Sequence, residues 1–195
     1  MRSRPLPRSL DPLSDETLPG YLLRLAHRLD QPLGHLAAIT GLLLPQQQSS
    51  IPARRLLWMD PATTQRFADA TRLSSQEAAA LALANLGGRY PPLDLAPDIW
   101  IRQASGITGL VRWVFTQSTR YCPDCLAGDG STIQQRHGGA WRKSWRVPVV
   151  FACTIHERPL AVQARVLDLQ PGAGGAPCRA GGYAGAVRGD LARSE

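Results

Sequence analysis

Residues 120–130, RYCPDCLAGDG, and residues 151–158, FACTIHER, decide how the rear half of this chain is built. The first carries Cys122 and Cys125 at C-x2-C spacing, and the second carries Cys153 and His156 at C-x2-H spacing. Two donors on one tight turn clamp one side of a metal ion, and a second pair on another turn closes a tetrahedron, the geometry Zn2+ adopts. A Cys3His set fills all four positions, so the ion it holds is structural. Such an ion can contribute on the order of 10 kcal/mol to folding, enough to organise a segment with little core of its own. Pro123 stiffens the first turn, and Leu126 and Phe151 flank the pairs as candidate shields. A redox pair of the thioredoxin kind needs a helix directly after the cysteines, which LAGDGS opposes. Cys178 is the alternative fourth donor, in place of His156.

Outward from this centre, the segment between the pairs is basic and aromatic. WRKSWR, residues 141–146, spaces Trp141 and Trp145 four apart, and Arg142 and Arg146 likewise. As a helix, this would put indoles on one face with guanidinium groups beside them. From Ile101 to Arg158 there are eight basic residues, namely Arg102, Arg112, Arg120, Arg136, Arg142, Lys143, Arg146 and Arg158. Only Asp124, Asp129 and Glu157 oppose them there. Arg120, Arg142, Lys143 and Arg146 are therefore the candidates for contact with nucleic-acid phosphates or an acidic partner. The tryptophans are expected to bury against the metal site. His137, between arginine and glycine in RHGGAW, reads as a solvated loop residue, and His27 and His35 as surface or boundary residues on helices.

The front half reads as helical. Leu18, Tyr21, Leu22, Leu25 and Leu29 recur at three- and four-residue steps, and Pro19 suits a first helical turn. A second helix is expected from about Leu33 to Thr40, stopped by Gly41. In DPATTQRFADAT, residues 60–71, Asp60 caps a third with Pro61 behind it. In LSSQEAAALALANLGG, Ser74 and Glu77 make an S-x-x-E capping box before a helix ended by Gly87 and Gly88. These last two, joined by a turn at Arg72–Ser74, resemble a helix-turn-helix; a plain helical hairpin packing a core fits equally. The second of the pair is mostly Ala and Leu, with little to read a base edge.

The expected architecture is thus mainly α with a small zinc-ribbon-like module and a helix-turn-helix-like N-terminal half. The divisions are an extended arm (1–16), a helical region (17–90), a connecting segment (91–118), a zinc-binding module (119–165) and a flexible low-complexity tail (166–195). GLVRWVF, residues 109–115, alternates as a strand would.

Composition sets the outer limits. The chain has 195 residues, enough for one ordinary domain or two small ones, and a net charge of +7, which favours polyanionic partners. A GC-rich genome, which inflates Arg, Ala, Gly and Pro together, accounts for the same bias. No signal peptide or membrane-length apolar run is present, which points to the cytoplasm, where paired thiols bind metal more often than they oxidise. No Ser/His/Asp set, phosphate-binding G-x4-G-K-[ST] loop or carboxylate cluster suggests catalysis.

LPGYLLRLAHRL, FADATRLSSQEAAALAL, RYCPDCLAGDG and WRKSWRVPVVFACTIHERPL, in that order, resemble the TniQ family of bacterial transposition proteins over roughly residues 5–162. The R-Y-C-P-x-C-L and W-R-x-S-W-R…C-x-x-H blocks carry the likeness most specifically. The resemblance implies a non-catalytic target-selection subunit of a transposon, linking target DNA or a targeting complex to the ATPase that recruits the transposase. It also implies zinc held by Cys122, Cys125, Cys153 and His156; a homodimer is compatible with it. Family members commonly continue with a further C-P-x-C element, whereas residues 157–182 here keep one cysteine, Cys178, so the resemblance does not extend to a second zinc knuckle. A zinc-containing DNA-binding regulator and a structural interaction module without nucleic-acid binding are the competing readings.

Overall fold

Thr17 begins the first helix because its side chain accepts the Gly20 amide, and Pro19 occupies the first turn, where its missing N–H costs nothing. In this computed structural model, which describes residues 5–43, 51–90 and 119–163, that helix is α1 (Leu18–Leu29). It ends at Asp30 in the left-handed region. Then come α2 (Leu33–Ile39), a single turn α3 (Ala53–Leu57), α4 (Pro61–Thr71) and α5 (Ser75–Ala80). A 3-10 segment follows over Leu83–Arg89. The rear half holds β1 (Thr119–Tyr121), α6 (Pro123–Ala127), α7 (Thr132–His137), a 3-10 turn (Lys143–Arg146), β2 (Ala152–Cys153), β3 (Arg158–Pro159) and β4 (Ala161–Gln163). The protein is mainly helical, and the few strands among the described residues lie beside the cysteines.

The apolar stripe read from the periodicity is the core. Leu18, Tyr21, Leu22 and Leu25 of α1 are fully buried against Leu36, Phe67, Ala78 and Leu81. Tyr21 and Phe67 meet edge to face with ring centroids 6.0 Å apart, and the Tyr21 hydroxyl donates to the Leu10 carbonyl at 3.0 Å. Residues 5–16 form no helix or strand, yet Leu6 and Leu10 lie inside this core and the Leu6 amide donates to Ala70 O at 2.8 Å.

Asp60 accepts the Thr63 amide and hydroxyl, and Ser74 and Glu77 exchange side-chain and backbone bonds as a capping box. The α4–α5 turn passes through Arg72 at φ +61°, ψ +30°. The expected long helix to Gly87 is instead broken. Helix α5 stops at Ala80, Ala82 is extended, and a 3-10 turn resumes at Leu83. The reason is competition for carbonyls: Ala80 O accepts the Lys143 ammonium and Leu81 O accepts the Leu18 amide. The break also buries Leu81, Ala82 and Leu83 in succession, which one helical face cannot do. The expected strand at 109–115, Arg102, Arg112 and Cys178 lie outside the described residues.

Two antiparallel ladders frame the rear half. Strand β1 pairs with β4 in the register Thr119–Gln163, Arg120–Val162, Tyr121–Ala161, and β2 pairs with β3 as Ala152–Pro159 and Cys153–Arg158. The halves are interlocked. The Thr17 amide donates to Trp141 O at 2.7 Å, and Asp15 receives the Lys143 amide at its carbonyl and the Ser144 hydroxyl at its carboxylate, 2.6 Å. Gly20 permits this approach, because a Cβ there would lie 2.8 Å from Cβ of Trp141.

Candidate metal centre

The C-x2-C pair straddles the start of α6: Cys122 is its N-cap residue, Pro123 stands in the first turn, and Cys125 lies within the helix. The C-x2-H pair straddles the β2–β3 turn, where Glu157 takes φ +46° to send the chain back. The two turns face each other. All four donor atoms, three sulfurs and Nδ1 of His156, lie within 4.8 Å of one another. The edges are 3.3 Å from Cys125 Sγ to Nδ1, 3.5 Å from Cys122 Sγ to Nδ1, 3.6 Å from Cys153 Sγ to Nδ1 and 3.6 Å from Cys125 Sγ to Cys153 Sγ. A tetrahedron with Zn–S of about 2.3 Å and Zn–N of about 2.0 Å has edges of roughly 3.5–3.8 Å. The donor set therefore fits zinc in chemistry and in size.

The electrostatics point the same way. Burial, a hydrogen bond with Cys153 and the charge of Cys122 together push the Cys125 thiol up to about 12. Burial also raises Cys153, but the amides of His156 and Ile155, with side-chain bonds from His156 and Cys125, outweigh it and bring that thiol down to about 6. Three thiols in this volume cannot all ionise unaided; a divalent cation makes the triple thiolate favourable. The three cysteines are buried and none forms a disulfide among the described residues, while His156 stays exposed on the solvent side. When bound, the metal would supply cross-linking of the two turns, with Cys122, Cys125, Cys153 and His156 as its holders.

Around the cysteines pack Trp145, 3% exposed, and Leu160, with Tyr121, Leu126, Trp141 and Val150 partly buried against them. The tryptophans do bury here, their ring centroids 6.3 Å apart and edge to face. Trp145 does so from the 3-10 turn, which Trp141 precedes and which turns Lys143 inward to Ala80. Leu126 shields the cluster as expected, but Phe151 does not: it is 73% exposed. Its carbonyl serves instead, accepting the Leu160 amide at 2.9 Å.

Three of the four candidate cationic contacts, Arg120, Arg142 and Arg146, line one recess with Pro19 and Leu23 of α1, whereas Lys143 reaches the Ala80 carbonyl at the end of α5. Arg120 donates to the carbonyls of Val147, Pro148 and Val150 at 2.9, 3.1 and 2.7 Å. Lys143 is buried, and burial lowers its ammonium pKa, with Asp15 opposing that. Arg146 is half-buried, and both burial and the neighbouring Arg120 disfavour its charge. Arg142 is half-buried, with Nε unpartnered.

His137 is a correction. It ends α7, buried, with Nδ1 2.9 Å from Nδ1 of His27 on α1, because α7 packs onto α1. Burial, then the neighbouring His27, lowers its pKa. Sequence reasoning also missed Gly139 and the Glu16–Arg24 pair. A Cβ at Gly139 would lie 1.9 Å from Cys125 O, so this glycine lets the loop seat against the first metal turn. Glu16 and Arg24 form a 2.7 Å ion pair with side chains 0% and 3% exposed. No local pattern marks either feature.

With this geometry in view, the comparison with known families is decisive. The TniQ family model matches residues 7–160. The chain belongs to the TniQ family. No curated protein and no solved structure matches it. The TniQ match spans both the helical half and the whole Cys3His cluster, so the cluster is part of the family domain in this chain. Membership associates the protein with transposition. No helix among the described residues is long and apolar enough to cross a membrane.

Proposed function

We propose that this TniQ protein is a non-catalytic adaptor in DNA transposition, working in the cytoplasm and joining target DNA or a targeting complex to the transposition ATPase and transposase. The observation that carries the reading is one family match covering both the helical core and the cysteine cluster. The zinc is structural, because Cys122, Cys125, Cys153 and His156 occupy all four positions of a tetrahedral ion. The helical half and the module act as one rigid body, since the Thr17–Trp141, Asp15–Ser144 and Lys143–Ala80 contacts tie them together. An adaptor works by holding two surfaces in fixed relation, and these interlocks serve that purpose.

The α4–turn–α5 hairpin supports the helix-turn-helix part of the reading only in outline. Its second helix is six residues, SQEAAA, with no Lys or Arg. The adaptor reading therefore assigns α5 to packing, through Ala78, and leaves base reading to the targeting partner.

The test begins with the genomic neighbourhood, where genes for a transposition ATPase and a transposase are expected and their absence would count against the proposal, and continues with reconstitution using their products. Omitting this chain should abolish targeted insertion while the transposase keeps strand-transfer activity on its own, and the chain should co-purify with the ATPase. Unchanged target choice without it, or no association with either protein, would overturn the proposal.

A further inference from the structure

A cleft opens between the first turn of α1 and the rear half. Pro19, Leu23, Trp141 and Trp145 line it, together with Thr119, Arg120, Arg142 and Arg146. No Asp or Glu lines it among the described residues. Three guanidinium groups sharing one recess repel, and Arg120 already disfavours the charge on Arg146. Their donor capacity is unequal. The Arg120 fork is spent on three carbonyls, so it supplies field and no free fork. The Arg146 guanidinium has no acceptor among the described residues. Two further polar atoms in lining residues are buried and unpartnered: Arg142 Nε and Oγ1 of Thr119, a residue only 3% exposed. Buried polar groups ordinarily find partners, and here two unpaired ones flank the same recess as an uncompensated cation.

We infer that this cleft receives a carboxylate from a protein partner: an Asp or Glu side chain, set beside an apolar residue that packs on Pro19, Leu23 and the partly exposed Trp141. Arg146 is the fork that meets it, with Arg120 and Arg142 supplying the positive field and Thr119 a hydroxyl donor. A planar carboxylate matches a guanidinium fork bidentately. Recession selects against the alternative occupant. A duplex phosphate backbone is convex and well hydrated and is met by exposed cations, whereas Arg146 is half-buried behind apolar walls. An acidic side chain reaches a recessed fork, and the partly exposed Pro19, Leu23 and Trp141 suit its apolar neighbour. The inference rests on the adaptor reading for the identity of the partner, but its chemistry stands on the cleft alone.

The test uses the purified full chain and three probes. These are an end-blocked tetrapeptide carrying one glutamate beside a leucine, the same peptide with glutamine, and a short DNA duplex. The readout is the indole N–H resonances of Trp141 and Trp145. The glutamate peptide should shift both saturably and the glutamine peptide should not. Arg146→Gln should weaken the glutamate peptide at least about tenfold with metal content unchanged. If that variant does not fold, Thr119→Val and the wild-type titration carry the test. Equal shifts by both peptides, shifts by the duplex alone, or no shift by any probe would each overturn the inference. Failure here with the ATPase still co-purifying sinks the cleft and spares the adaptor; peptide binding without any transposition phenotype does the reverse.

Discussion

Gly139 carries more than its small size suggests. Its amide donates to Leu126 O at 2.9 Å, and a methyl group there would sit 1.9 Å from Cys125 O and 3.0 Å from its carbonyl carbon. Backbone cannot give way as a flexible side chain does, so Gly139→Ala must push the loop off the first metal turn. A destabilisation of about 3 kcal/mol or more is expected in urea unfolding, with faster loss of zinc to a chelator. Gly88 is the control: nothing lies within 4 Å of its added Cβ, and Gly88→Ala should be neutral or slightly stabilising. The buried Glu16–Arg24 pair permits a second prediction at this scale. Glu16 Oε2 also accepts the Leu13 amide, so Arg24→Met strands a buried carboxylate already serving the backbone, at a cost of about 3–5 kcal/mol. Adding Glu16→Gln should recover part of that loss in a double-mutant cycle. Neither feature was legible beforehand. The convergence of Cys122, Cys125, Cys153 and His156 was, because their spacing is local chemistry written in three-residue steps, whereas Gly139 matters only for what a distant turn brings to it. His137 was misread for the same reason: the glycines that follow it look solvated until α7 packs on α1.

Elements show where local signals were sufficient and where they were overruled. The starts of α1, α4 and α5 follow from Thr17, Asp60 and Ser74, because an N-cap is decided within three residues. The end of α5 does not follow from its sequence. Ala80 and Leu81 would continue a helix, but their carbonyls are claimed by Lys143 and Leu18, residues far along the chain in both directions. The cap itself can be tested. Ser74→Ala should cost about 1 kcal/mol in thermal or urea unfolding near neutral pH. Glu77 titrates below the usual carboxylate range because the Ser74 hydroxyl and amide hydrogen-bond to it. An acid lowered by folding adds stability above its unfolded pKa and loses it as pH falls through the folded value. The difference between wild type and Ser74→Ala should therefore shrink on acidification below the ordinary glutamate pKa of about 4.3. A pH-independent difference would show that the Glu77 half of the box contributes nothing.

At the scale of the molecule, the reach of the Cys3His cluster is set by what packs around it. The Cys3His cluster directly joins only α6 and the β2–β3 turn. Its packing shell includes Trp141 and Trp145, however, and the same short stretch delivers Trp141 O to the start of α1, Lys143 to the end of α5 and Ser144 to Asp15. The segment that shields the sulfurs is thus the segment that docks the helical half. Val147 extends the link, packing with Leu57, Leu83 and Leu86. Cys122→Ser or Cys153→Ser should lose one bound zinc per chain by elemental analysis. Because docking runs through residues 141–147, the helical half should feel that loss. Its far-UV circular dichroism melt should move to lower temperature, by roughly 2–4 °C for each kcal/mol of docking lost from a coupled unit of this size. Two independent halves predict otherwise: the rear would unfold alone and the helical transition would stay where it was. Stoichiometric zinc in either mutant would refute the assigned ligands. An unmoved helical melt in zinc-free protein would refute the coupling and leave the ligands standing.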